Sequence, residues 1–301
     1  MVMSLIQLPA REASSAEPKV TTQTLLDRKQ ARQPITALTA YDYPTAMVVD
    51  QSGIDVILVG DSLGMAVLGY ESTLPVTMDE MLHHTRAVRR AVRRALLVAD
   101  MPFGSYHSST EQAISNATRF IKEAGAEAVK IEGGRNRAAL VAALTQAEIA
   151  VVGHIGLTPQ SIHRMGYRVQ GKSTAEIDDL MADAQALESA GAIAVVLECV
   201  PREVGGHITA ALAIPTIGIG AGPECDGQIL VFHDLVNLTG TRPAKFVRRY
   251  ADASALFSEA VQHYASDVQG GVFPADAESY HLPSEAGAEL LQSEPQQRSR
   301  Q

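Results

Sequence analysis

The stretch ALLVADMPFGSYHSSTEQAISNATRFIKEAGAEAVKIEGG, residues 95–134, decides the fold. It opens on Ala95–Asp100, a run almost continuously apolar, as strands buried on both faces are. It closes on a second β-rich run, Ala128–Glu132. Between them Ala113, Ile114, Ala117, Phe120, Ile121 and Ala124 recur at helical spacing. Ser109 with Gln112 fits a capping box, and Gly125 fits the stop. Strand, helix, strand is the unit that builds parallel sheets.

The same alternation extends in both directions. Further β-rich runs lie at Ile35–Tyr41, Asp55–Asp61, Ile149–Ile155, Ala194–Val200, Pro215–Ile219 and Gln228–Phe232. A second clear helix opens at Ser173 and Glu176, carries Ile177, Leu180, Met181, Ala184 and Leu187 as its stripe, and closes at Gly191. Strand candidates alternating with helices indicate a parallel α/β protein. A (β/α)8 barrel fits best. A doubly wound open sheet is the alternative, because periodicity cannot tell a closed sheet from an open one. Residues 1–20 and 284–301 are polar, small-residue segments with few apolar anchors. They are expected as disordered extensions of a single domain over 21–283.

The chain has 301 residues, 46% hydrophobic and 20% charged, enough for a large core. A net charge of −9 argues against a nucleic-acid surface. The one dense basic run, Arg86, Arg89, Arg90, Arg93 and Arg94, has the spacing of a solvated helix face. Cys199 and Cys225 have no metal-ligand spacing. No apolar run approaches the roughly 18 residues of a membrane span, and no basic-then-apolar leader is present. The expectation is a cytoplasmic enzyme with neither nucleic-acid nor membrane partners.

In either architecture the active site lies at the C-terminal ends of the strands. Those ends carry Asp61 and Ser62, Asp100, Lys130 and Glu132, His154, and Glu198 in succession. Taken singly, Asp61 reads as a helix cap or turn former, Asp100 as a turn residue and His154 as a hydrogen-bonded core histidine. Glu198, between Leu197 and Cys199, is harder to dismiss, since an unpaired charge there is costly. Together the acids need a compensating cation. Lys130 is one; a divalent metal would be another. An all-oxygen set with a single nearby histidine favours a hard ion, Mg²⁺. Such a site suits a substrate that chelates through two oxygens, such as a 2-oxo acid. The chemistry it points to is metal-assisted enolisation, with a carboxylate moving the proton beside the carbonyl.

Gly60–Leu63 spells GDSL, the signature of a serine hydrolase family with Ser62 as nucleophile. That reading fails. The chain has no Asn-Asp pair, and no histidine has Asp three residues before it, so Ser62 lacks the partners those enzymes supply. The glycine run Gly218–Gly222 could cradle a phosphate, but a tight strand-end turn explains it as well. The long connection Leu63–Met78 could be a lid or a packing loop.

The motifs TAYDYPTA, VGDSLGM, STLPVTMDEMLHHTRAV, LLVADMPF, AVKIEGG, GHIGLTPQS, LECVP and IPTIGIGAG, in unbroken order over 21–283, closely resemble the ketopantoate hydroxymethyltransferase family. The resemblance implies a (β/α)8 TIM barrel of the phosphoenolpyruvate/pyruvate type. It implies transfer of a hydroxymethyl group from 5,10-methylenetetrahydrofolate to 3-methyl-2-oxobutanoate. Position by position, it implies Mg²⁺ on Asp61 and Asp100 with Glu132 completing the site. Asp61, Ser62, Asp100 and Lys130 would contact the 2-oxo acid, Glu198 would accept the proton, and His154 would line the site. It also implies a homodecamer built from pentamers. The alternatives are a Mg-dependent carbon–carbon lyase or mutase of the same superfamily, which would carry a catalytic cysteine segment absent here, and a barrel that only binds.

Overall fold

The computed structural model describes residues 18–240 and 242–283. Both expected extensions lie outside the described residues, except for Pro18–Val20. The chain falls into two compact units that divide between Tyr250 and Ala251, inside the span expected as one domain.

The first unit is a closed barrel of eight parallel strands in sequence order. They are β1 Ile35–Thr39, β2 Val56–Val59, β3 Leu96–Asp100, β4 Ala128–Glu132, β5 Val151–Gly156, β6 Ala194–Glu198, β7 Thr216–Ile219 and β8 Gly227–Leu230. β8 pairs back on β1, with Ala37 opposite Ile229, which closes the sheet and rules out the open alternative. Each observed strand falls on an expected run. β1 and β2 stop two residues before their expected ends, which leaves Asp61 on the turn beyond β2.

Side-chain parity fills the barrel. On β3, Leu96 and Val98 belong to the inner cluster with Asp100 next in phase, while Leu97 and Ala99 face the helices. The inner cluster joins Val56, Leu58, Val152, Val196, Ile217 and Ile229 across the barrel. Leu25 joins it from the helix Thr22–Ala31. That helix precedes β1, so its leucine belongs to the N-terminal end, opposite the strand ends that carry the acids. The inner and outer layers are the packed core expected of this fold.

The helix at Thr110–Ala124 is capped by Ser109, whose Oγ accepts from Gln112 N at 3.1 Å, and ends at Gly125 with φ 71°. The Gln112 side chain pairs with Ser108, so the reciprocal half of the expected capping box does not form. The helix Thr174–Ser189 opens on Ser173 as expected. Arg86 pairs with Glu123, Arg89 with Glu127, and Arg94 with Asp55, so the basic run ties the outer layer together.

The second unit is the helix Ala253–Gln269, capped by Asp252, with Phe257, Val261, Tyr264 and Val268 along one stripe. Tyr264 packs edge-on against Phe273 at 5.5 Å.

Gly156 ends β5 with φ 92°, and a Cβ there would lie 2.2 Å from the Glu198 carbonyl oxygen. The two strand ends approach this closely only because the side chain is missing. Gly156→Ala should therefore destabilise the barrel by about 2–3 kcal/mol. A melting temperature unchanged from wild type would contradict this.

Candidate active site

Inward parity delivers six ionisable side chains to one end of the barrel. Asp100, Lys130, Glu132 and His154 are buried on β3, β4 and β5. Asp61 is buried on the turn after β2, and Glu198 ends β6 with its side chain 16% exposed. Ladder register sets neighbours: Asp100 pairs with Lys130, and Glu132 with His154.

Lys130 is the hub. Its Nζ lies 2.9 Å from Asp100 Oδ1, 3.8 Å from Glu132 Oε1 and 3.2 Å from His154 Nδ1. Burial opposes its charge, but Asp100, Glu132 and Asp61 outweigh burial and hold its pKa above the usual lysine value. It is a fixed cation. A Lys130 proton on Nδ1 selects the His154 tautomer whose Nε2–H faces Glu198 Oε2 at 3.3 Å. Burial and Lys130 depress the His154 pKa, yet Glu132 and Glu198 lift it above its ordinary value.

The acids respond unequally. Burial pushes Asp61 well up, and repulsion from Asp100 and Glu132 adds to it. Burial also raises Asp100, which Lys130 only partly offsets. Burial acts on Glu132 too, but His154, Lys130 and the Gln160 N–H hold it below the usual carboxylate value.

Gln160, on the turn after β5, was not singled out by its sequence context. Its Nε2 donates to Asp61 Oδ2 at 2.8 Å and to Met101 O at 3.0 Å. Its backbone N–H donates to Glu132 Oε2 at 2.9 Å, and its Oε1 accepts from Tyr106 Oη at 2.6 Å. One residue thus spans two of the acids, through its side chain and its backbone N–H. Only the TPQS turn places it there; no charge or spacing marks it. Asp61 takes this bond instead of capping the helix Leu63–Ala66, so the helix-cap half of its reading is wrong, while it does stand on the turn after β2.

Ser62 Oγ pairs with Tyr41 Oη at 2.7 Å. Burial pushes the Tyr41 phenol up, so it is no base for a serine nucleophile. Cys199, next to Glu198, is pushed up to about 11 by burial and by that carboxylate, and Cys225 is also raised by burial. Neither thiol is a ready nucleophile. The glycine run is a packing turn: Gly220, φ 68°, leaves room for the Phe246 ring, and Gly222, φ 89°, for Arg202. The Leu63–Met78 connection brings Met65 and the buried Thr73 to the mouth, beside Asp61.

Among the described residues no three His, Cys, Asp or Glu side chains are arranged to hold a metal ion. Two of the three expected ligands do fit one. Asp61 and Asp100 adjoin, with the Asp61 N–H donating to Asp100 Oδ2 at 3.2 Å, and burial, with repulsion from neighbouring acids, raises both pKa values. Mg²⁺ commonly takes one or two carboxylates plus waters and substrate oxygens. Glu132 is turned instead to Lys130, His154 and Gln160.

Clustered like charges cost stability. Asp61→Asn should raise the melting temperature of the metal-free protein by about 2–4 °C near pH 8, measured by calorimetry in chelator. A fall would mean that the Gln160 bond outweighs the repulsion. Fluorophosphonate treatment should leave Ser62 unlabelled, by mass spectrometry of the intact chain.

No helix among the described residues is long and apolar enough to cross a membrane. Solved structures with similar backbones include a phosphonopyruvate hydrolase in complex with oxalate and Mg²⁺, at TM-score 0.57 and 17% identity over 90% of this chain and 94% of that one. A 2,3-dimethylmalate lyase of the PEP mutase/isocitrate lyase superfamily matches at TM-score 0.56 and 16% identity over 90% and 94%. At such identities the likeness shows the fold. Sequence relatives are much nearer. The 3-methyl-2-oxobutanoate hydroxymethyltransferase of Koribacter versatilis is 66% identical over 90% of this chain and 92% of its own length. The enzyme of the same name from Thermoanaerobacter sp. is 55% identical over 88% and 97%. The family model described as ketopantoate hydroxymethyltransferase matches residues 19–276, and on that match and those identities this chain belongs to the ketopantoate hydroxymethyltransferase family.

Proposed function

We propose that the chain transfers a hydroxymethyl group from 5,10-methylenetetrahydrofolate to 3-methyl-2-oxobutanoate, giving 2-dehydropantoate for pantothenate and coenzyme A biosynthesis. The observation that carries the residue assignments is the division of labour among the acids. Asp61 and Asp100 adjoin, with Lys130 beside Asp100 and only an amide on Asp61; Glu132 is bonded by the Gln160 N–H; and Glu198 stands on another strand and is partly open.

Asp61 and Asp100 would hold Mg²⁺, with Glu132, turned to Gln160 and Lys130, reaching the ion only through water, and the ion when bound would supply Lewis acidity to the 2-oxo group. Lys130 keeps its charge and meets the substrate carboxylate. Ser62, fixed by Tyr41, orients the same substrate by hydrogen bonding. Glu198 takes the proton from C3, the carbon that then bonds to the one-carbon unit. His154 lines the site, its Nε2 3.3 Å from Glu198 Oε2. The buried walls of Val196 and Ile229 limit water around the reacting carbon. A cytoplasmic location and a homodecamer belong to the same proposal, and sedimentation velocity tests the assembly.

Glu198→Gln should keep 2-oxo acid binding and lose turnover on the order of 10²-fold or more. It should also stop deuterium uptake at C3 of 3-methyl-2-oxobutanoate without folate; wild-type exchange in this variant would assign the proton to another group. Exhaustive EDTA treatment should abolish formation of 2-dehydropantoate and Mg²⁺ restore it. Asp100→Ala should weaken Mg²⁺ binding by calorimetry, and full activity in chelator would remove the metal from the mechanism.

A further inference from the structure

The mouth of the barrel is one cavity of about 210 Å³ with two unlike halves. The charged half holds the acids, Lys130 and His154. The other is lined by Ile219, Ile229, Leu230, Val231 and Phe246, and carries one carboxylate among its described residues, Asp234. The mechanism above gives Asp234 and Phe246 no role, yet the one-carbon donor must bring its methylene to a carbon beside Glu198. It therefore has to enter the same cavity. The neighbouring arginine-rich cleft of Arg135, Arg137 and Arg164 does not reach Lys130 or Glu198.

Two features shape the second half for a flat, edge-polar ring. Phe246 lies over Gly220, where a Cβ would come within 2.8 Å of its ring, so a bare glycine backs a fixed aromatic wall. Asp234 stands on the short helix Phe232–Leu235, whose first N–H is tied to Thr39 Oγ1 at 3.0 Å, at the end of β1. Half-burial raises the Asp234 pKa, while His233 and Arg249 lower it. A carboxylate in apolar surroundings gains most from a ligand with paired N–H donors.

Resting on the function proposed above, we infer that this half binds the pteridine ring of the folate co-substrate. Asp234 accepts from the ring's N3–H and 2-amino group, and Phe246 packs on its face. The 2-amino-4-oxo edge presents two parallel donors, which match a carboxylate in the bidentate manner of guanidinium. The ring faces take aromatic and aliphatic contact. The charged half offers neither, and its carboxylates already serve Lys130, Gln160 and the 2-oxo acid.

The test is steady-state kinetics of Asp234→Asn and Phe246→Leu, with folate-free deuterium exchange at C3 run beside it. Asp234→Asn should raise the KM for methylenetetrahydrofolate on the order of tenfold or more, while the KM for the 2-oxo acid and the exchange rate stay within about twofold. Phe246→Leu should raise the folate KM a few-fold. Calorimetric titration with tetrahydrofolate and its 2-desamino analogue adds a readout that mere structural damage would not mimic. Wild type should bind the analogue more weakly, and Asp234→Asn should bind both alike. An unchanged folate KM in Asp234→Asn, or losses shared equally by both substrates and by exchange, would overturn the assignment while leaving the reaction intact. A wild-type protein that turns over neither substrate would overturn the reaction and this inference together.

Discussion

The burial of Asp61, Asp100 and Glu132 within reach of one lysine is the constraint on which the rest depends. Carboxylates taken out of water must be paired, bonded or neutralised. Lys130 answers for Asp100 and partly for Glu132. The Gln160 N–H bonds Glu132 as well. Asp61 is left with an uncharged amide. Asp61, with Asp100 beside it, is where the proposed Mg²⁺ would offset the cost of burying a carboxylate. A fully paired cluster would be more stable and would have no reason to bind one.

The same constraint explains the scaffold. A lysine held by acids on its own and the neighbouring strand cannot be carried on a mobile loop, because a small displacement strands a buried charge. The barrel solves this by parity: residues two apart on β4 put Lys130 and Glu132 into one layer above the apolar interior. Gln160 and Tyr106 then cross-brace acids from β2 and β4 through hydrogen bonds no longer than 3.3 Å. Glu198 stands outside that brace and is partly open, which suits the role of base proposed for it.

The similar barrels of the hydrolase and lyase structures share the fold at 16–17% identity, so the backbone alone does not select a reaction. Here the selection rests on side chains. The thiol beside Glu198 is held protonated, and Ser62 is paired to a phenol that cannot serve as its base. What remains is carboxylate chemistry on an acidified carbon.

The sequence by itself determined the alternation of strands and helices, because apolar runs and capped helical stripes are local patterns. It also exposed Asp61, Asp100, Lys130, Glu132, His154 and Glu198, since strand ends are where this architecture collects its polar side chains. Barrel closure was beyond it: the Ala37–Ile229 pairing joins opposite ends of the chain and leaves no periodic trace. So was the role of Gln160, an unremarkable polar residue until the turn after β5 folds it between two acids. The glycine run could be read as a phosphate cradle until Phe246 and Arg202 were found filling the space. Which carboxylates stand uncompensated depends on distances of a few ångströms between strands, and only the tertiary structure sets those.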